Sequence, residues 1–120
     1  MYNIIFYEDS RGDRPTADFI KDLKKKSLTD KNARVNFSKI VAYIDLLCEK
    51  GTHIGEPFIK HLDGNIWELR PLDNRILFAN YKGKFYILLH HFIKKTNKTP
   101  PQEIRQAQRN LDDYIKRNGE

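Results

Sequence analysis

Two adjacent histidines, His90 and His91, close the apolar run FYILLHHFI, which leads straight into Lys94, Lys95, Thr96 and Lys98. Upstream, Arg70 ends the run Ile66-Trp67-Glu68-Leu69-Arg70, and Arg75 opens the next one. Imidazoles exchange protons near neutral pH, guanidiniums hold phosphate oxygens as a fork, and lysines add charge along a polyanion backbone. Such groups can cleave RNA without a metal. A base takes the ribose 2'-proton, an acid protonates the leaving oxygen, and fixed positive charge stabilises the phosphorane-like transition state. His90 or His91 is the candidate acid or base, and Arg70 and Arg75 are the candidate phosphate ligands. Lys82, Lys84, Lys94, Lys95, Thr96 and Lys98 are the candidate backbone contacts.

Every one of these residues also has a structural use. A strand histidine is more often a hydrogen-bonded core residue than a catalyst, and Trp67 and Tyr86 are more often core than platforms for stacked bases. The Lys24-Lys25-Lys26 run suits a helix C-terminus. Cys48 has no disulfide partner and falls on an apolar helical face, where a buried, inert thiol is expected. Other chemistries find no support. His90 and His91 alternate to opposite faces of a strand with no carboxylate or cysteine near them in sequence, and His53 and His61 lie in or near loops, so neither a metal nor another cofactor is expected. G-x-S-x-G, a Gly-rich loop leading to Lys-Ser/Thr, and H-E-x-x-H are absent, which removes the familiar hydrolases and nucleotide triphosphatases.

The stretch from Phe85 to Ile93 is apolar on both faces, as an inner strand is: strict alternation puts Phe85, Ile87, Leu89, His91 and Ile93 on one side and Tyr86, Leu88, His90 and Phe92 on the other. A helix is expected right after the lysines, with Thr99 as N-cap, Pro100 in the first position and Gln102 three residues on. Lysines beside the positive end of a helix are poorly placed unless an anion joins them. On the strand before, Glu68 and Arg70 share a face with Ile66 while Trp67 and Leu69 take the other, which places Arg70, and Arg75 from the neighbouring strand, near a histidine.

The remaining chain supplies the frame. Asn3 to Tyr7 predicts a first strand, ended by the polar turn Glu8 to Asp13. Pro15, with Asp13 or Thr16 as opener, starts a helix carrying Phe19, Ile20 and Leu23. A second helix from about Thr29 to Lys50 carries the stripe Phe37, Ile40, Val41, Ile44, Leu47 and Cys48 and stops at Gly51. Strands follow at Phe58 to Leu62, Ile66 to Arg70, Arg75 to Tyr81 and Phe85 to Ile93, joined by an Asp63-Gly64 turn and by Lys82-Gly83-Lys84. The last helix runs from Thr99 to about Arg117 with Ile104, Ala107, Leu111 and Tyr114 or Ile115 on one face. The expectation is an α+β fold: an N-terminal strand, two helices, an antiparallel sheet of three or four further strands and a C-terminal helix, with the helices on one sheet face and the other open to a ligand.

Length and composition bound the function. A chain of 120 residues predicts a single domain over 1–120. Charged residues at 32% and a mean hydropathy of -0.71 argue against a membrane protein, and the N-terminal run is too short for a signal peptide or a span, so a cytoplasmic location is expected. The net charge of +6 favours an acidic partner, the more so because no acid falls between Asp73 and Glu103 while Arg75, Lys82, Lys84, Lys94, Lys95 and Lys98 do.

Taken in order, Ile66-Trp67-Glu68-Leu69-Arg70, Arg75-Ile76, Leu88-Leu89-His90, Phe92, Lys94-Lys95-Thr96, Lys98-Thr99-Pro100, Glu103-Ile104 and Ala107 resemble the phage-related HigB-like branch of the RelE/ParE toxin superfamily, from about Phe58 to Tyr114. The resemblance implies a RelE-like fold and the toxin of a type II toxin-antitoxin pair: an endoribonuclease cutting messenger RNA, often on the ribosome, and silenced by a small antitoxin, commonly with a helix-turn-helix. Carried across, the basic strand positions are Arg70 and Arg75, the strand-end histidine is His90, and the basic loop is Lys94, Lys95 and Lys98. Relatives usually have a small residue, often Gly, where this chain has His91, so either imidazole can face the RNA, and a bulge at the strand end would swap them. The superfamily also contains a branch that poisons DNA gyrase without cutting RNA. The alternatives are therefore a toxin or binding module that inhibits gyrase or the ribosome by occupancy, and a phage-related structural protein without toxicity.

Overall fold

The alternating apolar runs between Ile59 and Ile93 form an antiparallel meander, to which the N-terminal strand adds in parallel. The computed structural model describes residues 1–119. In chain order it has β1 (Asn3–Phe6), α1 (Pro15–Lys26), α2 (Lys31–Lys50), a 3-10 turn (Gly51–Ile54), β2 (Ile59–Asp63), β3 (Ile66–Leu69), β4 (Asn74–Tyr81), β5 (Phe85–Ile93) and α3 (Pro101–Asn118). The sheet order is β1-β5-β4-β3-β2, so this is the expected α+β layout with a five-stranded mixed sheet. β4 takes the middle place, and β5 is an inner strand between β4 and β1. No helix among the described residues is long and apolar enough to cross a membrane.

The helices do not share one sheet face. On one side Phe19, Ile20 and Leu23 of α1 and Ile40, Ile44 and Leu47 of α2 pack on Leu69, Ile76, Phe78, Tyr86 and Leu88. On the other, Ala107 and Leu111 of α3 pack on Ile66, Leu77, Ala79, Ile87 and Leu89. The open face expected from the sequence is therefore covered by α3, because its stripe of Ala107, Leu111, Tyr114 and Ile115 needs a partner as much as those of α1 and α2. Val41 turns outward at 37% exposure, so the α2 stripe is narrower than its spacing suggested.

Strict alternation fails in β5. Leu77 pairs with His90 and Phe78 with Leu88, which leaves Leu89 as an extra residue. A bulge of this kind puts two successive side chains on one face and reverses the parity beyond it. Leu89 and His90 accordingly both face α3, whereas His91 faces α1. The helix start also moves by one residue. Pro100 is the N-cap and Pro101 the first helical residue, and Thr99 does not cap. At α2 it is Asp30 that caps, accepting from the Asn32 N–H. α1 begins after Arg14 with no side-chain cap from Asp13 or Thr16. The β2–β3 turn is Gly64-Asn65, since Asp63 already pairs with Ile66.

Two contacts fix the helices to the sheet. Gly51, at φ +64°, ends α2 where a Cβ would come within 2.8 Å of the Tyr2 ring and the Tyr86 hydroxyl, so only glycine fits the approach. The Tyr7 hydroxyl donates to Asp113 Oδ2 at 2.5 Å, and Arg117 holds the same oxygen at 2.7 Å. Burial first, then Asp113, push the Tyr7 phenol up to about 12, so it stays a donor and keeps α3 clamped to the segment after β1.

Candidate active site

Where β4 begins and β5 ends, Arg75 lies opposite Phe92, and two residues along Leu77 lies opposite His90. Glu68 sits opposite Leu77 on the other side of β4. One sheet face at this end thus carries Glu68, Arg70, Arg75 and His90, next to the first turn of α3. Glu68 is the hub: its side chain is 1% exposed. Its Oε1 lies 3.4 Å from Arg70 Nε and 3.8 Å from Arg75 Nε, and its Oε2 accepts from the Thr99 hydroxyl at 2.6 Å.

The two arginines have different environments. Arg75 is 6% exposed and gives its Nη1 to the carbonyls of Leu72 and Asn74 at 2.7 and 2.8 Å. Burial lowers its pKa, Glu68 opposes that shift, and Arg70 adds to it. Arg70 is 23% exposed, and among the described residues its terminal nitrogens make no hydrogen bond. Of the two, Arg70 is the one that presents a free guanidinium edge.

The histidines also part ways. His90 Nε2 lies 2.8 Å from Glu103 Oε1 in the first turn of α3. Because a carboxylate accepts, Nε2 carries the hydrogen, and Nδ1 has no partner among the described residues. His91 stacks on Phe19 with ring centroids 4.4 Å apart, and its Nδ1 lies 3.3 Å from the Thr16 hydroxyl. Burial first, and then the neighbouring His90, hold the His91 imidazole below its ordinary 6.5, against the pull of Glu103. Below about 6.5 the unfolded chain thus binds a proton at residue 91 that the folded chain excludes, so stability falls as pH drops from there toward the depressed folded value. A urea midpoint followed from about pH 8 down to about pH 5 should fall less for His91→Phe than for the wild type. Parallel curves would remove His91 as the source.

The basic residues form two groups. Lys94 N–H donates to the Asp73 carbonyl, which ties the start of the loop to the β3–β4 connection, and Thr96 Oγ1 donates to the Lys98 carbonyl at 2.9 Å. Lys95, Thr96 and Lys98 are exposed beside Thr99. Lys82 and Lys84 flank the far hairpin, six residues along the strands or about 20 Å away, where Lys82 lies over the Tyr81 ring. They do not join the arginine and histidine cluster.

Sequence reasoning missed the acids that complete the site. Glu68, on the strand before the acid-free run, and Glu103, which ends that run, both fold back onto it, so the cationic cluster is partly neutralised. The Glu68-x-Arg70 spacing on a strand was the available signal for one; an acid in the first turn of the next helix was the signal for the other. Thr99, expected as a cap, binds Glu68 instead. No group of three or more His, Cys, Asp or Glu side chains converges among the described residues.

No curated protein matches this sequence. The profile of the Phage derived protein Gp49-like family (DUF891) matches residues 18–112, a span that runs from α1 to α3 and includes every side chain of the Glu68 and His90 clusters. By that match the chain belongs to the phage-derived Gp49-like family, a toxin-like family of the RelE/HigB-like superfamily.

Proposed function

We propose that this chain is the toxin of a type II toxin-antitoxin pair, that it cleaves messenger RNA on the ribosome, and that a small helix-turn-helix antitoxin silences it. The observation that carries this reading is a carboxylate-oriented imidazole, His90 on Glu103 at 2.8 Å, on the same face as the Arg70 guanidinium. In this mechanism His90 Nδ1 takes the 2'-hydroxyl proton and the 2'-oxygen attacks phosphorus. The 5'-oxygen leaves with a proton from solvent or a loop ammonium. The products are a 2',3'-cyclic phosphate and a 5'-hydroxyl end. Arg70 receives the charge that builds on the phosphoryl oxygens, with Glu68, 3.4 Å from its Nε, holding it in place. His91, neutral and stacked on Phe19, supports the strand end.

The test is induction in bacteria without antitoxin, with transcript 5' ends mapped soon afterwards. New 5'-hydroxyl ends support the reading; growth arrest without new ends rejects cleavage and points to inhibition by occupancy. The lysine loop has a separate signature. Replacing Lys94, Lys95 and Lys98 by glutamine should weaken RNA binding and flatten its salt dependence by about 0.7 in log-log slope for each lost phosphate contact. The same change at Lys82 and Lys84 should leave that slope unaltered, since they lie at the far end of the sheet. A slope that responds only to Lys82 and Lys84 would move the RNA path to the hairpin.

A further inference from the structure

Beside His90 the bulge opens a second feature, a cleft of about 310 Å³ between the β1–α1 connection and α3. The connection supplies Asp9, α3 supplies Gln106 and Asn110, β5 supplies His90 and His91, and the Tyr7 ring completes the wall. No lysine or arginine lines it, and it holds a carboxylate. That makes it the wrong place for a phosphate, which the Arg70 side of His90 suits far better.

Its polar groups are set by the fold and retain free valences. Asp9 Oδ1 accepts from the N–H groups of Arg11 and Asp13, each at 2.9 Å, which fixes the carboxylate; among the described residues Oδ2 has no partner. Asn110 Nδ2 donates to the carbonyl of the bulge residue Leu89 at 2.8 Å, and Gln106 Nε2 donates to Asn110 Oδ1 at 2.9 Å. Each amide nitrogen keeps a second N–H. The cleft therefore offers one fixed acceptor and two fixed donors between apolar walls, the kind of lining that reads the edge of a flat, polar heterocycle.

We infer that this cleft is a nucleobase pocket, and that it selects guanine at a nucleotide next to the one whose 2'-hydroxyl His90 deprotonates. Guanine has two neighbouring N–H donors, at N1 and N2, that can converge on the free Asp9 Oδ2, and two acceptors, O6 and N7, to meet the amides. Adenine, cytosine and uracil have neither of those pairs. An unstacked base of single-stranded RNA can enter such a pocket and be read on its edges. The inference rests on the ribonuclease reading for its substrate, while its test does not need cleavage.

That test is a set of side-chain amide NMR titrations of the ¹⁵N-labelled protein with the 5'-monophosphates of guanosine, adenosine, cytidine and uridine. The guanosine nucleotide should perturb the Gln106 and Asn110 amide signals and bind roughly tenfold tighter than the others, within the discrimination expected of a specific base-edge contact. Asp9→Asn should erase the preference while its amide oxygen still accepts the two turn N–H groups; Gln106→Ala should weaken all guanosine binding at the cleft. Equal responses to the four nucleotides, or perturbations confined to Arg70 and the lysine loop, would overturn the pocket. Guanosine selection by a protein that cuts no RNA would keep the pocket and reject the nuclease, and cleavage without any nucleotide selection would do the reverse.

Discussion

Replacing His90 by alanine is expected to lower RNA cleavage by about 10²-fold or more, with RNA affinity nearly unchanged. The size follows from what is lost. Deletion removes the imidazole that Glu103 orients and leaves water to take the 2'-proton. It leaves Arg70 and the loop lysines, to which the proposed reading assigns the binding. The fold should tolerate the change, because Glu103, the partner left behind, is already 23% exposed and can be solvated. His91→Ala makes the contrast. It removes the stack on Phe19 and the contact with Thr16, so it should lower stability while the rate per folded molecule stays within a few-fold. A His90→Ala enzyme that cuts at the wild-type rate would take the imidazole out of the mechanism and hand its chemistry to the arginines and lysines. A large rate loss in His91→Ala with intact stability would exchange the roles of the two histidines.

That ambiguity shows how far the sequence could be read. The α2 stripe, the strand runs and the second hairpin were legible because period and turn chemistry are local properties. The shared face of Glu68 and Arg70 was legible for the same reason. The bulge at Leu89 was not: one extra residue costs a strand little and leaves no compositional mark in a run as uniformly apolar as FYILLHHFI, yet it decides which imidazole meets α3. The position of α3 was missed on related grounds. Its stripe states that it packs, and only the connection after β5 determines on which face. Thr99-Pro100-Pro101 satisfied the rules for a cap, and the structure spends the threonine on Glu68 instead, since a buried carboxylate with two misaligned guanidiniums still needs a true hydrogen bond. Lys82 and Lys84 were grouped with Lys94 and Lys98 by charge and proximity in sequence, and a hairpin separates residues that are near in sequence by the length of its strands.

Glu68 is where stability and function meet, and Glu68→Gln is expected to destabilise the protein by about 3 kcal/mol, near the low end of what removing one partner of a buried ion pair costs because Arg70 can reach water. In a chain of this size that lowers the melting temperature by on the order of 10 °C. The amide keeps the volume and can still accept from Thr99, so the loss isolates the charge: Arg75, 6% exposed and already disfavoured as a cation by burial, keeps only the weaker pull of Asp73 among the described residues. Function should change by a different route. With its Nε released, Arg70 is no longer aimed, so the cleavage rate at saturating RNA should fall by more than the affinity does, a split that destabilisation alone does not produce. The pair Glu68→Leu with Arg75→Met should recover much of the lost stability, as buried ion pairs replaced by apolar groups of similar volume commonly do, without restoring the rate. Two outcomes would sink this account of the site: a Glu68→Gln protein as stable as the wild type, which would mean that the guanidiniums find other partners, and a double variant that recovers full activity, which would mean that Arg70 needs no anchor.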